Sequence, residues 1–435
     1  MSENQPPTPV ILPRAEHCIS RKNLDPDALK IMVRLRRHGF LAYLVGGSVR
    51  DLLLNRQPKD FDISTDAHPG QIKKLFRNSR VIGRRFRLVH VFFHDNKIIE
   101  VSTFRRAPPE EPEQREGKEA EPRKGDNTFG EPHEDALRRD LTINGLFYEI
   151  GSFSVLDYVG GIEDLKAGII RTIGNPEVRF REDPLRMVRA VRYTIRSGFR
   201  MEPETCAAMV RSAQLLRTCN ASRLQDEFQK DFASGAFCQV LRLQREVGLL
   251  GAYFPQLDQF LSAPAVDERP LLFDAPWFWR AMARFEAPAG DMPDRRFRLA
   301  SLLYPLLERS LLEHHASVQD PLQHSGEIHG LMGELTSPVG VGRRDREGLQ
   351  PLWEGWVRFL GFLESGRIPL RVQKKYNFSE ILEWHRLYQE ARGRSWEETQ
   401  RVLGPAMQAG QVSQGEKRRR HRRRKPRPPE NPDNS

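Results

Sequence analysis

Short apolar runs alternate with short helical patterns between residues 25 and 158, and this alternation predicts an α/β unit. A helix should begin at Asp25 or Asp27, whose carboxylates can cap it, and should stop at Gly39. The segment PGQIKKLF predicts another helix, which begins at a proline. The predicted strands form a mixed sheet and comprise residues 41–45, 60–64, 81–83, 88–93 and 97–104, the last two joined by a hairpin at His94, Asp95 and Asn96.

Beyond residue 159 the pattern is helical almost to residue 403, with proline-containing breaks. The fold class predicted is an α/β head domain with a mixed sheet, followed by an all-α region and a disordered basic tail. The predicted division is a flexible N-terminus at 1–24, the head at 25–158 with a mobile Glu/Pro-rich insertion at 105–127, a helical neck at 159–235, a helical body at 236–410 and the tail at 411–435.

The net charge of +11 is concentrated at the C-terminal end. Residues 416–435 hold nine Lys or Arg and three acidic residues, a balance of +6, in a run that cannot bury apolar surface. Such a run neutralises phosphates, which favours a nucleic acid partner over a merely solubilising role. Four cysteines without CxxC spacing, no membrane-length apolar run and no signal-peptide pattern argue against disulfide-framework, zinc-cluster, membrane and secreted proteins, and predict a cytoplasmic one.

Two carboxylates, Asp60 and Asp62, are predicted to lie on one strand with their side chains on the same face. Such a pair can hold two Mg²⁺ ions, the arrangement that suits displacement at phosphorus. Phe61 should point the other way, into the core. A lone Asp-x-Asp is a weak signal, because most such pairs are solvated surface acids.

A glycine turn lies upstream of these acids, directly after a predicted strand, and consists of Gly46 and Gly47. Glycines let a backbone approach a phosphate closely, and the helix that follows offers free N–H groups. Ser48 could add a hydroxyl donor and Arg50 a guanidinium fork for phosphate oxygens. The pattern fits neither the Rossmann fingerprint nor the P-loop, and its plainer interpretation is an ordinary βα turn.

Arg139 and Asp140 follow a short acidic helix and are candidates for binding a triphosphate oxygen and for supplying a third carboxylate. Glu100, on the strand KIIEVSTF, competes for the role of third carboxylate. The alternative for Arg139 and Asp140 is an internal ion pair.

Asp183, Arg186 and Arg189 recur at every third position of a helix predicted to begin at Glu182, so they share one face. A carboxylate and a guanidinium fixed together can test the hydrogen-bonding edge of a base. A salt-bridged solvent-exposed face is the alternative, but the excess of arginines on this helix favours binding of an anionic ligand.

In order along the chain, these segments resemble the class II nucleotidyltransferases, the family of bacterial poly(A) polymerases and CCA-adding enzymes. The resemblance covers about residues 40–235 and rests on five blocks: LVGGSVRDLLLN, PKDFDIST, RRDLTINGLFY, YVGGIEDLKAG and IGNPEVRFREDPLRMVRAVRY. It implies a nucleotidyltransferase-type head, a base-recognition neck and an RNA-binding body. It further implies that Asp60 and Asp62 bind metal, that Asp140 is a third catalytic carboxylate, and that the nucleotide site is lined by Gly46, Gly47, Ser48, Arg50, Arg139, Asp183, Arg186 and Arg189. Arg223 and Glu227 match a further helical motif.

The activity implied by the resemblance is template-independent transfer of AMP from ATP to RNA 3′ ends with Mg²⁺ or Mn²⁺, which is RNA polyadenylation and mRNA processing. Two features favour a poly(A) polymerase over a CCA-adding or A-adding tRNA enzyme: the segment VIGRRFRLVHV and the basic tail. A non-catalytic RNA-binding protein on the same scaffold is the alternative of another class. Protein partners that act in RNA decay or as RNA chaperones would fit this function.

Overall fold

The computed structural model describes residues 7–83, 87–106, 128–262, 274–284, 286, 295–314, 325–364 and 378–391. Within these residues a sheet of eight strands forms, namely β1 (Val10–Leu12), β2 (Ala42–Val45), β3 (Asp62–Thr65), β4 (Ser79–Ile82), β5 (Leu88–Phe92), β6 (Ile98–Thr103), β7 (Leu146–Glu149) and β8 (Ser154–Asp157). Their order across the sheet is β1-β8-β7-β2-β3-β6-β5-β4. Strands β3 and β6 pair in parallel and the other neighbouring pairs are antiparallel, so the predicted mixed sheet is confirmed.

Helices accompany this sheet and make up most of the described chain after residue 159, which confirms the predicted order of an α/β head and an all-α region. None of the described helices is both long and apolar enough to cross a membrane. The helices up to residue 212 are α1 (Pro26–Arg37), α2 (Gly47–Leu53), α3 (Pro69–Leu75), α4 (Pro132–Leu137), α5 (Gly161–Ala167), α6 (Pro176–Glu182), α7 (Leu185–Ser197) and α8 (Pro203–Ser212). A short parallel pair, β9 (Ile169–Ile170) and β10 (Arg200–Met201), adds a second sheet. The remaining helices are α9 (Ala221–Phe232), α10 (Phe237–Glu246), α11 (Leu249–Tyr253), α12 (Pro255–Ser262), α13 (Ala275–Arg284), α14 (Arg295–His314), α15 (Ser325–Thr336), α16 (Arg343–Glu364) and α17 (Phe378–Ala391).

One face of the sheet packs against helices to form the core of the head. The core includes Ile31 of α1, Val49 of α2 and Ile72 of α3, which pack with Leu44 and Ile63 of the central strands. Each such aliphatic side chain contributes about 1.5–3 kcal/mol when it is fully buried. Helix α1 starts as predicted, because the Asp25 carboxylate accepts hydrogen bonds from the first free N–H groups.

The predicted flexible N-terminus is wrong for its described part, residues 7–24. Val10–Leu12 pairs antiparallel with β8, and Ile19 and Leu24 are buried in the core. Pro9 and Pro13 flank this short edge strand, a position that tolerates a missing N–H donor.

Two predicted element boundaries also change. Strand β3 begins at Asp62 rather than Asp60, because its ladder with β2 begins with the pair Val45 and Asp62. The helix predicted to begin at Glu182 begins at Leu185 instead, because Glu182 ends α6 and α7 starts only after Pro184, whose ring cannot continue a helix from the preceding turn. The hairpin at His94–Asn96 is confirmed, with Asp95 and Asn96 in the left-handed region.

The predicted insertion and the basic tail lie largely outside the described residues. The two ends of the insertion nevertheless meet, because Arg105 and Phe129 form an antiparallel bridge and the Arg106 N–H donates to the Thr128 carbonyl. The insertion therefore leaves the head and returns to it at one point.

The chain divides into two compact units that do not follow its linear order. The first contains residues 1–219 and 243–252, and the second contains residues 220–242 and 253–435. The predicted boundary between head and neck at residue 158 does not separate compact units, since both segments lie mostly in the first.

Candidate functional site

Asp62 lies at the first position of β3, and acidic neighbours surround it. Its side chain lies on the sheet face opposite the helical core, and Glu100 lies at the matching position of the parallel strand β6. The pKa of Asp62 is raised to about 6, first by desolvation and then by the charges of Glu100 and Asp60, while Arg139 acts in the opposite direction. The structure therefore brings Asp60, Asp62 and Glu100 together, and Phe61 between the two aspartates packs against the core.

The glycine turn begins one residue after the ladder pair of Val45 and Asp62, so the turn and the acids are adjacent. Gly46 has φ 69° and ψ −133°, a conformation that side-chain-bearing residues rarely adopt. A Cβ on Gly46 would lie 3.1 Å from Arg139 Nη1. A glycine is therefore required both by the backbone and by the close approach of the guanidinium.

Ser48 and Arg50 have partners within the protein rather than free polar groups. The buried Ser48 hydroxyl donates to the Val45 carbonyl at 2.8 Å. Arg50 is only 5% exposed and donates to Asp51 and to Asn144 Oδ1, and its guanidinium lies over the Tyr193 ring. In this arrangement both side chains hold the glycine turn in place, and the phosphate contacts predicted for them are not prearranged.

Arg139 is held by a buried carboxylate, Asp135. Asp135 is 1% exposed and accepts from Arg139 Nη2 and from Arg138 Nε, each at 2.9 Å. Burial acts to raise the pKa of Asp135, but the two guanidinium groups outweigh it, and the pKa lies below its usual value. Arg139 also approaches the Ser64 hydroxyl at 3.4 Å, so it lies between the glycine turn and the strand of Asp62.

Asp140 belongs to a different network from Asp60 and Asp62. Its Oδ1 accepts from the Leu141 N–H at 2.9 Å and from Asn144 Nδ2 at 3.1 Å. Asn144 also accepts from Arg50 at 2.7 Å, so one amide side chain connects Asp140 with the helix of the glycine turn.

Asp183, Arg186 and Arg189 do not all lie on one helix as predicted, and an ion pair instead joins Asp183 to Arg189. Arg189 Nη2 lies 3.5 Å from Asp183 Oδ2, although Asp183 is the residue that ends α6. Arg186 donates to Glu182 Oε2 at 2.9 Å and to the Arg138 carbonyl at 3.3 Å, which places it beside the segment that leads to Arg139. In the second unit, Glu227 of α9 is buried and pairs with Lys230 at 3.1 Å.

Three residues that hold the site together were missed by the sequence analysis: Asp135, Asn144 and Arg179. Arg179 donates to the carbonyls of Leu137 and Arg139, and burial followed by the charge of Arg186 lowers its pKa. The spacing of three and four residues from Asp135 to the two arginines that follow it was a usable signal. The two carbonyls that accept from Arg179 lie 40 or more residues away, and no local pattern indicates them.

The acidic cluster offers carboxylate oxygens, which are the donors that a hard divalent cation prefers. The described residues contain no group of three or more His, Cys, Asp or Glu placed to hold a metal ion. Magnesium, however, is commonly held by one or two carboxylates together with water and substrate phosphates. The raised pKa of Asp62 shows that its ionised form is disfavoured here, and a bound cation would offset that cost. Asp60 and Asp62 therefore fit a divalent cation that is shared with a substrate.

Two segments match known protein families. Residues 42–171 match the model described as the poly A polymerase head domain, and they contain strands β2 to β8, the glycine turn and the three clustered acids. Residues 198–261, which follow the head domain, match the model described as "Probable RNA and SrmB- binding site of polymerase A".

The relatives similar to this chain are of two kinds, poly(A) polymerases and CCA-adding enzymes. Poly(A) polymerase I of Salmonella typhi is 46% identical over 266 residues, which are 59% of this chain and 56% of that protein. The CCA-adding enzyme of Bacillus pumilus is 38% identical over 212 residues, which are 49% of this chain and 50% of that protein. The chain thus matches about half of the length of these relatives.

Among solved structures, the CCA-adding enzyme of Bacillus stearothermophilus in complex with CTP is similar to this chain, with 25% identity and a TM-score of 0.50. The likeness covers 90% of this chain and 100% of that one. It therefore extends beyond the head domain into the helical region.

Proposed function

We propose that the chain is a template-independent polynucleotide adenylyltransferase, which adds AMP from ATP to RNA 3′ ends. The observation that carries this proposal is the register of β2 and β3, which pairs Val45 with Asp62 and so places the glycine turn beside the acids. The high identity to poly(A) polymerase I supports adenylate transfer in particular. A binding-only protein would have no use for an acidic cluster in which the pKa of Asp62 is raised.

In this mechanism the RNA 3′-hydroxyl attacks the α-phosphate of ATP, and pyrophosphate leaves. Arg139 and the backbone of Gly46 and Gly47 bind the triphosphate and fix its orientation, which supplies much of the catalysis of phosphoryl transfer. Mg²⁺ or Mn²⁺ held by Asp60 and Asp62 would activate the attacking hydroxyl and offset charge on the phosphates. No covalent intermediate on the protein is required.

The third carboxylate of this mechanism is assigned to Glu100 rather than Asp140. Glu100 lies opposite Asp62 on the parallel strand and raises its pKa, whereas Asp140 is bound to Asn144 and to its own backbone neighbour. Asp140 would then act by holding Asn144. Asp183, Arg186 and Arg189 remain the candidates for adenine selection, because a carboxylate and guanidinium groups can read the donor and acceptor pattern of a base.

The same proposal assigns functions to the helical neck, the helical body and the basic tail. The helical neck would complete the nucleotide site, and residues 236–410 would bind RNA. The basic tail would hold the polyanion by charge, so that deletion of residues 416–435 should weaken RNA binding and flatten its dependence on salt. A cytoplasmic location and protein partners from RNA decay or RNA chaperoning fit this role.

The second candidate function is that of a CCA-adding tRNA nucleotidyltransferase, which the Bacillus relatives favour. Both enzymes would perform the same chemistry, and they differ in the nucleotide used and in product length. A generic oligoadenylate primer supplied with ATP alone or with CTP alone separates them. Long products with ATP alone support the adenylyltransferase, while a fixed short addition supports the CCA-adding enzyme.

The acids are tested by primer extension with Asp62→Asn and Asp60→Asn. Each variant should abolish AMP incorporation while RNA affinity remains, because the carboxylates act on the reacting phosphate rather than on the RNA chain. Asp95→Asn is the matched control, since Asp95 lies at the exposed hairpin with φ 59°, a conformation that asparagine adopts readily. Incorporation at the normal rate by Asp62→Asn would remove the proposed role of the acids.

A further inference from the structure

The sheet face that carries the acids continues beyond them as an open surface on β6, β5 and β4. Phe92 of β5 and Ile98 of β6 form a directly opposed pair there, and they are 40% and 46% exposed. Ile98 and Glu100 are two residues apart on β6, so their side chains lie on the same face of the sheet. An apolar, aromatic pair is thus next to the acids on this face, and the mechanism gives it no role.

The neighbouring row of the same surface joins the second aspartate to two basic side chains. Glu100 opposes His90, with 3.1 Å between His90 Nε2 and Glu100 Oε1, and His90 in turn opposes the exposed Arg80. The His90 and Phe92 rings lie 6.3 Å apart at an angle of 77°. Two ring side chains on one strand are therefore placed between the acids and a guanidinium at the sheet edge.

The strand order decides which substrate this surface can receive. The glycine turn and Arg139 lie on the β2 side of β3, whereas β6, β5 and β4 lie on its other side. In-line displacement at phosphorus requires the attacking and leaving oxygens on opposite sides of the phosphate. If the triphosphate occupies the β2 side, then the side of β3 that leads to β6 and β5 is left open to the attacking hydroxyl.

We propose that the outer face of β6, β5 and β4 binds the last nucleotides of the single-stranded RNA, with a base stacked on Phe92. Aromatic side chains on an open sheet bind unpaired bases by stacking, which tolerates any base because every base has a π-face. His90 supplies a second ring, and Arg80 supplies a charge for the backbone phosphates. The alternation of aromatic, apolar and basic groups that ends at the carboxylates fits a nucleic acid 3′ end. This surface rests on the proposed function, since it serves the same reacting phosphate.

The test uses the full chain and a short fluorescent oligoadenylate, with binding followed by anisotropy. Phe92→Leu keeps an apolar side chain but removes the ring, and it should weaken oligoadenylate binding by about fivefold or more. Phe92→Trp should restore the affinity, and ATP binding should be unchanged in both variants. Ile11→Leu on the opposite edge strand is the matched control, because Ile11 is a similarly exposed apolar strand residue, at 57%.

Unchanged oligoadenylate affinity in Phe92→Leu and in a second variant, Ile98→Ser, would overturn the proposal. The same variants are examined by sedimentation. A shift from dimer to monomer with unchanged RNA affinity would assign the surface to a second copy of the chain and would also overturn it. Primer extension by the unaltered protein separates this inference from the proposed function. If the unaltered protein extends the primer but RNA binding does not depend on Phe92, the RNA-binding surface is refuted and the proposed function stands. If RNA binding depends on Phe92 but the unaltered protein does not extend the primer, only the catalytic proposal is refuted.

Discussion

Asn144 donates a hydrogen bond from Nδ2 to Asp140 Oδ1 at 3.1 Å, and its Oδ1 accepts from Arg50 Nη1 at 2.7 Å. A single amide thus satisfies a carboxylate on one side and a guanidinium on the other. Both a donor and an acceptor are needed at this position, and asparagine provides them with one short side chain. The connection holds Asp140 to the helix that begins at the glycine turn.

Replacement of Asn144 by aspartate should therefore impair catalysis. The new carboxylate can still accept from Arg50 but would face Asp140 with like charge, so we expect kcat in primer extension to fall about tenfold or more. The reversed pair, Asn144→Asp with Asp140→Asn, rebuilds the hydrogen bond in the opposite direction. Recovery in the double variant would show that Asp140 acts through Asn144. A normal rate in Asn144→Asp alone would contradict the prediction.

Gly46→Ala should weaken ATP binding. The methyl group would have to occupy a positive φ and would lie 3.1 Å from the Arg139 guanidinium, so that the turn or Arg139 must move. We expect a higher KM for ATP and a loss of about 1–3 kcal/mol in stability. Gly70→Ala is the control, since a Cβ at Gly70 meets nothing within 4 Å. Equal KM values for the two variants would show that the close approach of Arg139 does not matter.

Asp135→Asn should destabilise the first unit by about 3 kcal/mol, the lower end for a broken buried ion pair, because both guanidinium groups remain partly exposed. The pKa of Asp135 lies below its unfolded value, so its contribution is present above the unfolded pKa of about 4 and is lost as pH falls through the folded pKa. Urea unfolding followed by circular dichroism at two pH values measures the difference. Glu177→Gln removes a carboxylate from the exposed Arg211 pair and should cost less than about 1 kcal/mol.

His385 should make the stability of the second unit depend on pH. Burial lowers the pKa of His385 from 6.5 to about 4, so between these values the unfolded chain binds a proton that the folded chain does not. Stability should therefore fall as pH decreases from 6.5 to 4, by on the order of 3 kcal/mol over the full range. All six tryptophans lie between residues 277 and 396, so tryptophan fluorescence reports on this unit alone.

The variant His385→Gln should remove this slope, whatever its effect on stability at neutral pH. The control is His38→Gln, which replaces an exposed histidine of the first unit. A slope that persists in His385→Gln would assign the pH dependence to other groups.

The sequence predicted correctly those elements whose ends are fixed by residues close to one another in the chain. The cap at Asp25 and the hairpin at Asp95 are examples, since the residues that fix them are neighbours in the chain. The start of β3 was predicted two residues too early because it depends on the partner strand β2. The edge strand Val10–Leu12 was missed for the same reason, because its partner lies more than 140 residues away.

Within the candidate site, residue types were easier to predict than their partners. The acids and the glycine turn were found because Asp-x-Asp and Gly-Gly have few structural uses together. The role of Arg50 was interpreted as phosphate binding, since a sequence shows a guanidinium but not the Asn144 side chain, 94 residues later, that accepts from it. Glu100 and Asp140 could be separated only when the sheet register placed one of them opposite Asp62.

The return of residues 243–252 to the first unit has a practical consequence for dissecting the molecule. A fragment cut after Cys219 would lack a piece of its own fold, while the complementary fragment would carry that piece as an unmatched apolar stretch that includes the buried Leu249 and Leu250. Catalysis and RNA binding are therefore better separated by substitutions in the intact chain than by truncation.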